Sequence, residues 1–316
     1  MTTPDVLLLR QKIHGLTVDE YAAVLRSELP DREIAIARTP EEERELLSKV
    51  AVATGHTITD EQLETADNLE LFACVYAGTG HLPMDALEAA DVAVTNASGV
   101  HGPNIAEYVI GAMVMQARSF PRAWRQQQRH EWRSFPTTEL KESTVTIVGL
   151  GAIGTAIIER LEPFGVETIG VRYSPEKGGP TDEIYGFGEL HTALARTDYL
   201  VLACPLTEET TGLIGSEAFR TLPPTATLIN VARGAVVDTD ALVSALRRNA
   251  IGGAVLDVTD PEPLPSEHPL WDLSNVQITP HNAGHTPKYY ERVGAILAEN
   301  VRRLDAGERE LRNQVI

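Results

Sequence analysis

Short apolar runs alternate with helix-spaced amphipathic segments along the whole chain. That alternation predicts an α/β protein built on parallel sheets. DVLLLR, at 5–10, opens the series. Thr17 and Glu20 then stand as a capping box ahead of a helix that Leu29 and Pro30 close. EIAIAR reads as the next strand, and Thr39, Pro40 and Glu42 set cap, first-turn proline and acid in order for the next helix. VAVATG, LELFACVYAG and DVAVTN continue the strands, with PMDALEAA as one intervening helix. These units before residue 101 suffice for a small doubly wound domain.

NIAEYVIGAMVMQAR, at 104–118, is long and apolar on most sides, which predicts a helix lying between domains or subunits. A polar, Arg-rich stretch follows at 122–136. TVTIVGLGAIG then runs a strand into a glycine turn, and Ile153, Ile157, Ile158 and Leu161 continue at helical spacing. GVETIGVR, YLVLACP, TLINVA, GGAVLDV and NVQITP supply further strands, and a last helix is expected at 287–306. No repeat or flexible linker separates the halves. The expected architecture is two doubly wound parallel-sheet domains, one flavodoxin-like and one of Rossmann type, with a cleft between them. The first comprises 1–101 and 283–316, and the second, 102–282, is inserted into it.

The turn itself carries chemistry. Gly149, Gly151 and Gly154 form GxGxxG between a strand and a helix, the setting in which a helix N-terminus receives a dinucleotide pyrophosphate. Eighteen positions past the last glycine, where an acid usually reads a ribose 2′-OH, stands Arg172, followed by Tyr173 and Ser174. An acid repels a 2′-phosphate, whereas arginine bonds to it with charge assistance. NADP(H), preferred over NAD(H), is the cofactor expected. The ordinary alternative is a glycine turn in a cofactor-free domain with Arg172 on a solvated loop.

Composition narrows the field. The 316 residues, 43% of them hydrophobic, favour two globular domains over one. No apolar run is long enough to span a bilayer. MTTPDVLLLRQK lacks the pattern of a secretory leader, so a cytoplasmic location is expected. Cys74 and Cys204 each sit in an apolar run, and buried free thiols fit a reducing compartment. The net charge of −18, with only five lysines among 27 basic residues, disfavours nucleic acid and anionic membranes as partners. It also matches the surface of proteins from salt-accumulating microbes, although an ordinary acidic cytosolic protein is the plain alternative.

Three strand-end motifs follow the cofactor turn: NVARG with Arg233, DVTDPEP with Asp257 and Glu262, and TPHNAG with His281. Each polar residue follows an apolar strand, so all are expected at one rim of a sheet. Reducing a 2-keto acid needs a cation for the carboxylate and ketone, a proton donor for the developing alkoxide, and a partner that keeps the donor protonated. Arg233, His281 and Glu262 fit those roles. Taken singly, Arg233 could pair with a surface acid, Glu262 could be a solvated turn acid, and His281 could cap or pack at a domain edge. Metal ligation is not expected, since no HExxH, CxxC or close His/Asp cluster appears.

YAGTGHLP, NIAEYV, GLGAIG, CPLTEETTGLI, INVARGAVVDTDAL, LDVTDPEP and TPHNAG together resemble the D-isomer-specific 2-hydroxyacid dehydrogenase family over essentially the whole chain. The resemblance implies that Arg233 holds the substrate, His281 is the acid/base and Glu262 supports it. It further implies that backbone N–H groups of Gly78, Thr79 and Gly80 bind the substrate carboxylate, for which a plain glycine turn is the alternative. Asp257 resembles the family acid near the nicotinamide, and Pro205 and Thr210 resemble cofactor-lining positions. Ala152, Ile153, Cys204, Val231, Ala232, Arg233, His281 and Gly284 complete the implied cofactor site. A homodimer built on the nucleotide domains, with helix 104–118 in its interface, is implied as well. Arg172 departs from the Asp of NAD-using members, the lack of a C-terminal regulatory extension weakens a phosphoglycerate dehydrogenase reading, and Glu262 argues against the formate dehydrogenase branch. The resulting expectation is NADPH-dependent reduction of small 2-keto acids to (R)-2-hydroxy acids. The alternatives are a glyoxylate or hydroxypyruvate reductase and, from another class, a nucleotide-sensing, corepressor-like binding protein.

Overall fold

The computed structural model describes residues 4–316 apart from 11 and 14, with the backbone alone for 12 and 13. Residues 1–3, where the reading of the N-terminus starts, lie outside the described residues. The chain divides into two compact units, Met1–Val100 with His285–Ile316, and His101–Gly284.

The first unit is built on strands β1 (Val6–Leu8), β2 (Ile34–Ile36), β3 (Val52–Gly55), β4 (Leu71–Cys74) and β5 (Ala93–Thr95). They form a parallel sheet in the order β2-β1-β3-β4-β5, the flavodoxin-like arrangement, which reverses between β1 and β3. Burial on both faces explains the unbroken apolar runs. Val6 and Leu8 enter one core with Leu25 and Leu297, while Leu7 enters the other with Leu47 and Phe72. Helix Val18–Glu28 starts at the expected capping box: the Thr17 hydroxyl accepts from the Glu20 N–H, and the Glu20 carboxylate accepts from the Thr17 N–H. Helix Tyr289–Asp305 packs on it, and Gly294 permits the approach, because an added Cβ would lie 2.7 Å from Val24 Cγ1. Residues Lys12–Ile13 and Leu16–Thr17 form a short antiparallel pair beside this unit's parallel sheet.

The second unit carries seven strands: β6 (Thr144–Val148), β7 (Glu167–Val171), β8 (Glu183–Tyr185), β9 (Tyr199–Leu202), β10 (Thr227–Asn230), β11 (Gly253–Leu256) and β12 (Val276–Ile278). All are parallel, in the order β8-β7-β6-β9-β10-β11-β12. This is the Rossmann order with one further strand, and it reverses between β6 and β9. Helix Gly102–Ala117 buries Ile105, Val109 and Met113 in the core of this unit and packs on helix Ala152–Leu161. The Arg-rich stretch beyond it contains a helix, Phe120–Gln128, where only a polar stretch was expected, and it buries none of its residues.

Candidate functional site

The three glycines of the β6 turn are each required for a different reason. Gly149 has φ +101°, and an added Cβ would fall 2.6 Å from the Cys204 backbone at the end of β9. A Cβ on Gly154 would lie 2.0 Å from the Gly149 carbonyl oxygen, so the helix can meet the strand only at a glycine. Gly151 meets nothing within 4 Å and caps helix Ala152–Leu161 with no side-chain hydrogen bond. Its open surface and the free first-turn N–H groups suit the close approach of an anionic pyrophosphate. Ala152, Ile153 and Gly154 form that first turn.

Gly149, Gly151, Arg172, Cys204, Pro205 and Thr210 border one cavity of about 400 Å³. Arg172, half-buried just past β7, donates from Nη1 to the Gly178 carbonyl at 2.6 Å, which steadies the guanidinium at the rim. Tyr173 is exposed and meets Phe187 edge to face, with ring centroids 6.3 Å apart. Ser174 precedes the short turn Pro175–Lys177. The Thr210 hydroxyl is committed to the loop, donating to the Pro205 carbonyl at 2.7 Å. Burial pushes the Cys204 thiol up to about 11, so it is a wall of this cavity rather than a nucleophile.

At the far strand ends, Arg233, Glu262 and His281 follow β10, β11 and β12. The turn after β10 is shaped by Asn230, whose side chain accepts from the Ala232 N–H and donates to the Arg233 carbonyl, each at 3.0 Å. Val231 and Ala232 are buried there, while Arg233 is exposed. Among the described residues Arg233 has no ion pair, and its Nη1 donates to the Ala232 carbonyl at 2.6 Å. Gly234 brings this turn against the loop that carries Glu262, since a Cβ there would sit 2.0 Å from the Thr259 carbonyl. Glu262 accepts from His281 Nδ1 at 2.6 Å. That bond leaves Nε2 without a hydrogen-bond partner among the described residues, and with Nδ1–H committed, Nε2 carries a proton only as imidazolium.

Asp257 ends β11 and is buried. Its carboxylate accepts from the Thr279 hydroxyl at 2.6 Å and from the N–H groups of Asn282 and Ala283 at 2.8 and 3.0 Å. The His281 N–H donates to the Asp257 carbonyl at 2.8 Å. Asp257 thus holds the segment that carries His281 at φ +52°. Tyr108 bonds the same Thr279 hydroxyl at 2.7 Å, and burial, reinforced by the Asp257 charge, pushes its phenol up to about 12. In the other unit, Gly78, Thr79 and Gly80 follow β4. Nothing among the described residues accepts from their N–H groups, and both glycines have open space where a Cβ would stand.

The stretch that holds the glycine turn, Arg233, Glu262 and His281 is also the stretch that resembles a known family. A family profile described as the NAD-binding domain of D-isomer specific 2-hydroxyacid dehydrogenases matches residues 110–283, more than half of the chain. The chain belongs to that family. A glyoxylate reductase from Thermofilum pendens is 36% identical over 261 residues, covering 79% of this chain and 76% of the relative. A D-3-phosphoglycerate dehydrogenase from Methanocaldococcus jannaschii is 31% identical over 92% of this chain, which spans only 56% of that longer relative. Among solved structures, the D-isomer specific 2-hydroxyacid dehydrogenase from Xanthobacter autotrophicus, in complex with NADPH and MES, superposes with a TM-score of 0.78 at 30% identity, over 99% of this chain and 98% of that one.

Several residues that the fold places beside these motifs were not singled out from the sequence. Leu150 and Phe187 border the cavity at the glycine turn. Leu264, Trp271 and Thr279 border a second cavity, of about 340 Å³, together with Glu262 and His281. The Trp271 indole N–H donates to the Pro265 carbonyl at 2.9 Å and ties down the loop that carries Glu262. No spacing rule flags such residues, because their partners are remote in sequence.

The His281–Glu262 bond yields a testable expectation. Glu262→Gln retains size and hydrogen bonding but removes the charge that favours imidazolium. Keto-acid reduction should then slow, because the imidazolium that donates the proton loses its counter-charge. An unchanged kcat for reduction would reduce Glu262 to a turn residue.

Proposed function

We propose that the protein reduces small 2-keto acids to (R)-2-hydroxy acids with NADPH, reversibly with NADP⁺. The observation that carries this reading is the 2.6 Å contact of His281 Nδ1 with the Glu262 carboxylate at the strand ends of a Rossmann unit. Arg172 at the rim of the glycine-turn cavity supports NADPH over NADH, as does the NADPH named in the complex of the similar Xanthobacter enzyme. Gly149, Gly151 and the first turn of helix Ala152–Leu161 would hold the pyrophosphate, and Arg172 the 2′-phosphate. When bound, the cofactor supplies the hydride. His281 Nε2 delivers a proton to the carbonyl oxygen as it becomes an alkoxide, Glu262 stabilises the imidazolium, and Arg233 polarises the ketone. The N–H groups of Gly78, Thr79 and Gly80 bind the substrate carboxylate. Asp257 acts near the nicotinamide through the segment it braces.

Assaying NADPH oxidation with pyruvate, glyoxylate, hydroxypyruvate and longer keto acids tests this directly. Turnover confined to glyoxylate and hydroxypyruvate would make the protein a reductase of those two acids. NADPH binding without turnover of any of them would favour a nucleotide-sensing protein.

We read the protein as cytoplasmic, a location supported by the buried free thiols of Cys74 and Cys204. Among the described residues no helix is long and apolar enough to cross a membrane. The homodimer proposed for the nucleotide unit, with helix Gly102–Ala117 in its interface, draws support from the segment that follows. Trp132 is wholly exposed, Trp124 half so, and Arg118, Arg122, Arg125, Arg129 and Arg133 gather positive charge in a chain of net charge −18. The exposed tryptophans suit burial against a second copy. With so much like charge elsewhere, low ionic strength should dissociate the dimer and abolish activity, and molar salt should restore both. Sedimentation and assays across a salt series check this. A fully active dimer in dilute buffer defeats the halophilic reading, and a monomer at every salt concentration defeats the dimer.

A further inference from the structure

Two histidines stand beside the Gly78–Thr79–Gly80 turn and have no part in the chemistry above. His56 follows β3 and His81 follows the turn itself. Their rings stack with centroids 4.4 Å apart and an interplanar angle of 10°. His81 Nε2 donates to the His56 carbonyl at 2.7 Å, so the stack is anchored to the backbone. Tyr76 meets the His56 ring edge-on, with centroids 4.6 Å apart. Below the stack, the Cys74 thiol donates to the same His56 carbonyl at 3.6 Å. Among the described residues neither imidazole has an ion pair, and both ring nitrogens of His56 and Nδ1 of His81 have no hydrogen-bond partner.

Their place in the fold points to a ligand. The sheet order of this unit reverses between β1 and β3, and the crevice at such a reversal, outside the strand C-termini, is where doubly wound sheets bind small molecules. His56 leaves β3 at that crevice. The turn after β4 adds three N–H groups that nothing in the described chain accepts. A ligand lying there meets unengaged donors from the turn and, next to them, a stacked pair of titratable rings.

We infer that the His56–His81 pair is an anion-reading subsite that favours 2-keto acids with a second acidic group on their side chain. This rests on the reading that the 78–80 turn holds the first carboxylate. Two imidazoles in face-to-face contact accept one proton far more readily than two, so the pair offers a single positive charge. Burial, and then the neighbouring His81 charge, hold His56 below the ordinary imidazole range. Groups facing the pair are the Tyr76 phenol and the Cys74 thiol, and burial pushes that thiol up. The preference for a dicarboxylic substrate therefore grows toward acid pH.

The test is the ratio of kcat/KM for 2-ketoglutarate to that for 2-ketovalerate, which has the same chain length and no second charge. It is measured with NADPH from pH 8 down to 5.5 at constant ionic strength. Both substrates use the same acid/base, so its titration cancels in the ratio. The parent ratio should rise about three- to fivefold toward acid pH, the worth of an exposed ion pair. In the double variant His56→Gln/His81→Gln, checked for folding by circular dichroism, it should stay flat. A flat ratio in the parent, or a parental slope in the double variant, overturns the subsite while leaving keto-acid reduction intact. If neither acid is reduced at any pH, the reading of the turn fails first and the subsite with it.

Discussion

His281→Ala should lower kcat by about 10²–10⁴-fold, the usual worth of a positioned general acid, while NADPH still binds. The imidazole is half-exposed, with Nδ1 engaged by Glu262 and Nε2 left to work. Removing it deletes the proton delivery but touches none of the residues around the glycine turn. His281 sits at φ +52°, where alanine carries strain of its own. His281→Asn is therefore the companion variant, since asparagine tolerates that backbone region and lacks an acid of suitable pKa. Both should show the same loss in single-turnover reduction, and both should titrate NADPH by fluorescence as the parent does. Near-normal turnover in either at neutral pH would remove His281 from the mechanism.

Arg172→Asp should reverse the choice of cofactor. A 2′-phosphate beside the parent guanidinium gains charge-assisted bonds worth about 1.5–3 kcal/mol, which is about a tenfold to hundredfold preference for NADPH. One N–H of Arg172 is spent on the Gly178 carbonyl, which leaves the rest of the fork for the phosphate. Aspartate repels that phosphate and accepts from the free 2′-OH of NADH, so the preference should cross over to NADH. Values of kcat/KM with each cofactor decide the matter. Equal use of both by the parent, or a ratio that the substitution leaves unmoved, would mean that Arg172 serves only to brace the 178 loop.

The two effects separate cleanly. One changes the rate with the cofactor still bound, and the other changes which cofactor binds with the proton donor in place. A variant that lost both together would have lost the unit's fold instead.

Much of this protein lay open in the sequence, wherever a residue's role depends on its near neighbours. The alternation of apolar runs and amphipathic segments marked two parallel α/β sheets, because strands buried on both faces must be continuously apolar. Thr17 with Glu20, and Thr39 with Pro40, marked helix starts, because capping is settled within one turn. Helix Phe120–Gln128 went unread for the converse reason: it buries none of its residues, and its short stripe of Phe120, Ala123 and Trp124 is outnumbered by arginine and glutamine.

What only the tertiary structure decided is which distant segments meet. Sequence periodicity could not rank the strands as β2-β1-β3-β4-β5 and β8-β7-β6-β9-β10-β11-β12, since strand order is settled by pairing across long connections. Gly149 is compulsory because the Cys204 backbone of a neighbouring strand would collide with any Cβ, a constraint that comes from 55 residues away in the chain. Asp257 is satisfied by donors brought back after β12, and His56 meets His81 only because β3 and β4 lie side by side. The sequence alone determined the residue types and the local backbone. Their pairing into charge and hydrogen-bond partners is a property of the packed sheets, which decide what lies within bonding distance.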